Sequence, residues 1–186
     1  MSSIFAIELS LRFDASVHQQ LAGLASVRNG LDFGGKWEIY RRACDLLVSH
    51  QGLFDRGCWD FFQGKAKAET DFRMWAAGLV TKEGARPQPS GHGDPFRGDP
   101  RYLTFTMACI LGQNTVAESR MAGLCNIPQG QLWHRQTFVH ILNGMRAINF
   151  ACVERDTMYL IPRDPDWALT MADLSLEKFK YLRPVL

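Results

Sequence analysis

Residues 101–111, RYLTFTMACIL, decide the fold. Read as a strand, the segment alternates: Leu103, Phe105, Met107, Cys109 and Leu111 fall on one face, Thr104 and Thr106 on the other. Read as a helix, it has Asp99 as N-cap, Pro100 at the first helical position, and Leu103, Met107, Ile110 and Leu111 as its apolar stripe. Thr and aromatic content favours the strand; the Asp-Pro start favours the helix. The strand gives an α+β domain with a mostly antiparallel sheet covered by helices. The helix gives a helical N-terminal part followed by a winged helix-turn-helix. The α+β reading is our expectation.

Downstream, residues 131–146 read as one long amphipathic helix, with Leu132, Phe138, Ile141, Leu142 and Met145 at helical spacing. A hairpin is expected next, with strands near 149–154 and 157–162 around a turn at Glu154, Arg155, Asp156 and Thr157. Thr115 and Glu118 have the spacing of a capping box, and a short helix is expected around Thr170 to Phe179. Upstream, residues 4–12 read as a strand, and 14–27 and 36–50 as helices, the first capped by Asp14. The aromatics Phe54, Trp59, Phe61, Phe62, Phe72 and Trp75 read as core, since each buried ring removes ~150–250 Å² from water.

Residues 82–100 are rich in Gly and Pro and read as a loop dividing a mainly helical part (1–81) from an α+β part (101–186) of one domain. Loop and flanks carry Lys82, Arg86, Arg97 and Arg101, without a phosphate-loop pattern. A chain of 186 residues, 46% hydrophobic and 22% charged, suits one globular domain. Net charge of +2 excludes a strongly basic nucleic-acid coat. No run approaches the ~20 apolar residues of a membrane span, and Glu8 inside the first apolar run argues against a signal peptide. A cytoplasmic location is expected.

The five cysteines form no CxxC pair, so reduced, buried thiols are expected. His134 and His140 lie about 120° apart on a helix, which argues against joint metal binding. Asp164 and Asp166 flank Pro165 and read as turn residues. No catalytic residue, metal ligand or cofactor site is assigned. The expected function is non-enzymatic: a module that binds another protein through Arg97, Arg101, Trp133, His134 and Arg135, because Arg and Trp dominate interface hot spots. The alternative is nucleic-acid binding by a winged helix presenting Gln131, His134, Arg135 and Gln136. More remote is a Cys-dependent enzyme using Cys44, Cys58 or Cys152.

The tail PRDPDWALTMADLSLEKFKYLRPVL and the helix WEIYRRACDLLVSHQGLFDRG together carry a resemblance. The tail is similar to the closing pattern of an uncharacterised family best known from cyanobacteria and chloroplast thylakoids: Pro, acidic turn residues, Leu-Ser/Thr, an acidic helix, then Leu-Arg-Pro. The helix resembles that family's N-terminal Leu-rich helix, which ends in a His-Pro-Asp-like segment before a Gly. The resemblance covers about half the chain and implies a strand at YLTFTMACIL, hence an α+β fold. The chain departs from it by lacking a membrane segment and by extra residues between Gly112 and Ala147. It supplies no catalytic residues.

Overall fold

The computed structural model describes residues 2–27, 30–84 and 100–186, the side chains of 79–84 excepted. Five antiparallel strands form one sheet in the order β4-β3-β1-β2-β5. These are β1 (Ser3–Arg12), β2 (Phe54–Gln63), β3 (Tyr102–Leu111), β4 (Val153–Ile161) and β5 (Arg183–Pro184). Six α-helices are described: α1 (Ala15–Ser26), α2 (Phe33–Ser49), α3 (Lys65–Gly84), α4 (Val116–Leu124), α5 (Arg135–Met145) and α6 (Met171–Leu174). The molecule is therefore α+β, as expected. None of these helices is long and apolar enough to cross a membrane.

Residues 102–111 form a strand, and β3 is buried along its whole length between β1 and β4. The three-helix order of a winged helix-turn-helix is not formed. The strand wins because both its faces are covered, so Thr104 and Thr106 lie as deep as Phe105.

On one face of the sheet, Phe5, Ile7, Leu9 and Leu11 of β1 join Leu103, Phe105, Met107 and Cys109 of β3. Against them pack Val17 and Leu21 of α1, Tyr40 and Leu47 of α2, and Phe138, Ile141 and Leu142 of α5. Gly57 of β2 is required here, since a Cβ would lie 2.6 Å from the Phe138 ring. Caps set the helix starts: Asp14 accepts from Val17 N at 2.9 Å, Asp32 from Gly35 N at 2.7 Å, and Thr115 from Glu118 N at 3.1 Å.

Three expectations need correction. The hairpin at 149–162 is a single strand: Asn149 caps a 3-10 turn at Phe150–Cys152, and β4 then runs unbroken through Glu154, Arg155, Asp156 and Thr157. Pairing with β3 overrides the local turn preference, and Asp156 is satisfied by Lys36 at 2.5 Å and Tyr40 at 3.2 Å. The helix expected from residue 131 starts at Arg135, after a 3-10 turn at Gln129–Gln131. Strand β2 was hidden in the aromatic stretch, because FDRGCWDFFQ mixes charges and a glycine into a half-buried strand. Within the expected loop, residues 82–84 belong to α3, and 85–99 lie outside the described residues.

Candidate functional site

The opposite face of the sheet is not uniformly apolar. Its side chains fall in rows across the strands, set by the antiparallel register. Ala6 and Ala108 form one row, Glu8 and Thr106 the next, Ser10 and Thr104 the one after. Cys58 extends the Glu8 row on β2, and Tyr159 extends it on β4. Glu8, Ser10, Thr104 and Thr106 are all fully buried.

Two different covers meet over this face. Ala68 and Phe72 of α3 lie on Ile4, Ala6, Ala108 and Ile110. Leu169, Leu174, Phe179 and Leu182 of the C-terminal segment pack with Tyr102, Tyr159 and Ile161. The Glu8 row lies under the seam between them. Tyr181 crosses the seam and donates its hydroxyl to Glu8 Oε2 at 2.8 Å, while Tyr159 donates to the carbonyl of Trp75 at 2.9 Å.

Above the seam an open cleft of about 530 Å³ is bounded by Met74, Trp75, Gly78, Tyr159, Lys178 and Tyr181. Trp75 and Tyr181 meet edge to face, with centroids 6.0 Å apart and planes at 82°. Burial first, and then the charge of Glu8, push both phenols well above their ordinary pKa, so Tyr159 and Tyr181 stay neutral donors. Among the described residues, Ser10 Oγ, Thr104 Oγ1 and Thr106 Oγ1 lack a hydrogen-bond partner. The Thr106 hydroxyl approaches the Tyr159 phenol without meeting hydrogen-bond geometry. Buried hydroxyls without partners are uncommon enough to mark the row as unusual.

The residues expected to bind a partner are distributed otherwise. Arg97 lies outside the described residues. Arg101 is half-buried before β3 and donates to the Ala168 carbonyl at 3.0 Å. Trp133 is half-buried against the main core, and its carbonyl accepts from Leu186 N at 2.9 Å. His134 is exposed at the start of α5, where it makes no side-chain capping bond. Arg135 N donates to the Leu186 carbonyl at 2.8 Å, and its Nε is buried. The structure thus ties residues 133–135 to the C-terminal residues and Arg101 to the segment before α6.

The expectation of buried thiols holds for Cys44 and Cys109 and fails for Cys58, Cys125 and Cys152, which are half-buried. Cys44 and Cys109 are buried; burial pushes the Cys44 thiol up, and burial with Asp60 pushes Cys125 up to about 12. His18 is buried, bonded to the Pro162 carbonyl at 2.9 Å, and His50 is bonded to the Leu46 carbonyl at 2.9 Å. Asp164 accepts from Asp166 N at 3.0 Å, which is turn chemistry. Among the described residues, no group of three or more His, Cys, Asp or Glu is placed to hold a metal ion.

Sequence reasoning missed Glu8, Trp75, Tyr159 and Tyr181 as a set. One signal was present: a carboxylate at the centre of the apolar run IFAIELSLR, in register with Thr on β3. Comparison with known proteins found no matching family model, no matching curated protein and no matching solved structure.

Proposed function

We propose that this protein is a non-enzymatic binding module whose ligand enters the cleft between α3 and the C-terminal segment. The observation that carries the reading is a largely apolar cleft that meets the buried polar row at Tyr159 and, through the Tyr181 hydroxyl, at Glu8. Small-molecule sites have this composition: apolar walls that supply affinity and a few convergent polar groups that fix orientation. The cleft volume of about 530 Å³ falls within the ~300–1,000 Å³ typical of such sites.

An enzymatic reading has less support. A thiol nucleophile needs a base or a positive neighbour, and the shifted thiols are raised by burial instead. The protein-partner reading of Trp133, His134 and Arg135 is a separate proposal, weakened because Trp133 spends part of its surface on the main core. Nucleic-acid binding has less support, since Gln131 and His134 precede α5, which carries Arg135 and Gln136, and residues 102–111 form a strand where that reading needs its first helix.

The test is a screen of small apolar fragments read by amide chemical shifts of the full chain. Fragments should move the amides of Trp75, Tyr159, Lys178 and Tyr181 and leave those of Phe33 and Trp37, on α2, in place. Fragments that gather elsewhere, or that move no cleft amide, would remove the proposal.

A further inference from the structure

Resting on the binding reading above, we infer that the cleft takes an alkylated ammonium group, seated among Trp75, Tyr159 and Tyr181 above Glu8. The face of an aromatic ring is negative, and rings set at a steep angle can present two such faces to one cation. Trp75 and Tyr181 stand at 82° with centroids 6.0 Å apart, and Tyr159 supplies a third ring to the same cleft. An edge-to-face pair alone is ordinary core packing. Two things set this one apart. Its rings line an open cleft, and Tyr181 remains 37% exposed although its hydroxyl reaches a fully buried carboxylate.

Glu8 gives the site its sign. Its carboxylate accepts the Tyr181 hydroxyl, which adds electron density to that ring, and its burial keeps salt from screening its field. The degree of alkylation follows from the walls. A primary ammonium carries three donors and would leave water for a cleft lined mostly by ring and aliphatic carbon. A fully alkylated ammonium has no donor to strand. Lys178 at the mouth has the same sign as any ammonium ligand, alkylated or not; its own ammonium stands 5.6 Å from the centroid of Phe179, a ring outside the three walls.

The experiment is calorimetric titration of the full chain with choline and with its neutral tert-butyl isostere, in which carbon replaces nitrogen. Choline should bind about ten-fold more tightly than the isostere, in line with a desolvated cation–π contact. Glu8→Gln and Trp75→Leu should each remove most of that preference, and Lys178→Gln should raise choline affinity. Equal or tighter binding of the isostere overturns the cation assignment and leaves the cleft reading intact. So does binding of neither probe while apolar fragments still move the cleft amides. Choline binding indifferent to both Glu8→Gln and Trp75→Leu also overturns it. The comparison of the two probes on the unaltered chain needs no variant to fold. If fragments move no cleft amide at all, the binding reading itself is what fails.

Discussion

Towards α1, α2 and α5, strand β1 presents Phe5, Ile7, Leu9 and Leu11; towards α3 and the C-terminal segment it presents Ile4, Ala6, Glu8 and Ser10. Strand β3 repeats the contrast, with Leu103, Phe105, Met107 and Cys109 on one side and Thr104, Thr106, Ala108 and Ile110 on the other. All sixteen side chains are buried, so exposure does not separate the faces. Chemistry does. The first face is a continuous apolar layer, and each Leu, Ile or Phe on it contributes ~1.5–3 kcal/mol of burial. The second places four polar groups in its middle, where each unpaired hydroxyl costs stability. A fold that needed only stability would have filled both faces alike. The polar row under the cleft is thus the better candidate for function, and the apolar layer for holding the sheet in shape.

The largest break in this contrast should come from the apolar layer. Phe105 is 1% exposed at the centre of the first face, and Phe105→Ala should cost about 3–5 kcal/mol through lost burial and the cavity left behind. Denaturant midpoints at fixed slope would measure it. A loss under about 1 kcal/mol would mean that this layer is not where the stability resides.

Alkaline pH tests both faces at once. Cys44 packs on the apolar layer and Tyr159 ends the polar row; burial is the main cause raising each above its ordinary value of 9.0 or 10.0. Both stay protonated in the folded chain when the unfolded chain has lost those protons. Their contribution to stability is therefore constant below about pH 9 and falls as pH rises beyond it, by up to about 1.4 kcal/mol per pH unit for each group. Cys44→Ala should lessen the earlier part of the fall, to which Cys125 also contributes, and Tyr159→Phe the later part, to which Tyr181 also contributes, in denaturant titrations between about pH 8 and pH 11. A decline unchanged in both variants would assign it to other groups.

Much of the apolar face was legible in the sequence. The alternation of residues 102–111 put Phe105 and Met107 on one side and Thr104 and Thr106 on the other, and the Asp14 and Thr115 caps open helices as their positions imply, while the helix expected around Thr170 to Phe179 is only the short α6 and a 3-10 turn at Glu177–Phe179. Period and capping are local, so a single sequence carries them. What failed depended on partners far away in the chain. The Glu154 to Thr157 segment has turn residues, but it meets the edge of β3, where Arg155, Asp156 and Thr157 pair with Ile110, Cys109 and Ala108, and a lysine, Lys36, from α2. The site was least visible for the same reason. Glu8 and Tyr181 are separated by almost the entire chain, and only the order β3-β1-β2 with a returning C-terminal segment brings them to 2.8 Å. Glu8 in the middle of an apolar run is the one local sign.

The smallest expected effect is the most diagnostic, because it reverses sign between neighbouring residues. Thr104 precedes Phe105, is equally buried, and points to the opposite face with a hydroxyl that lacks a partner among the described residues. Valine keeps nearly the same shape and removes the group that was taken out of water for nothing. Thr104→Val should therefore stabilise the unliganded chain by about 1 kcal/mol, where Phe105→Ala destabilises it several-fold more. Thr106→Val, directly in the Glu8 row, should behave alike without ligand, and any ligand group or water that uses the hydroxyl would shrink the gain. A thermal or denaturant shift measured with and without the cleft probe separates the two cases. If both valine variants lose stability in the absence of any ligand, the hydroxyls are already satisfied. The polar row would then be ordinary packing, and the contrast between the two faces would no longer point to the cleft.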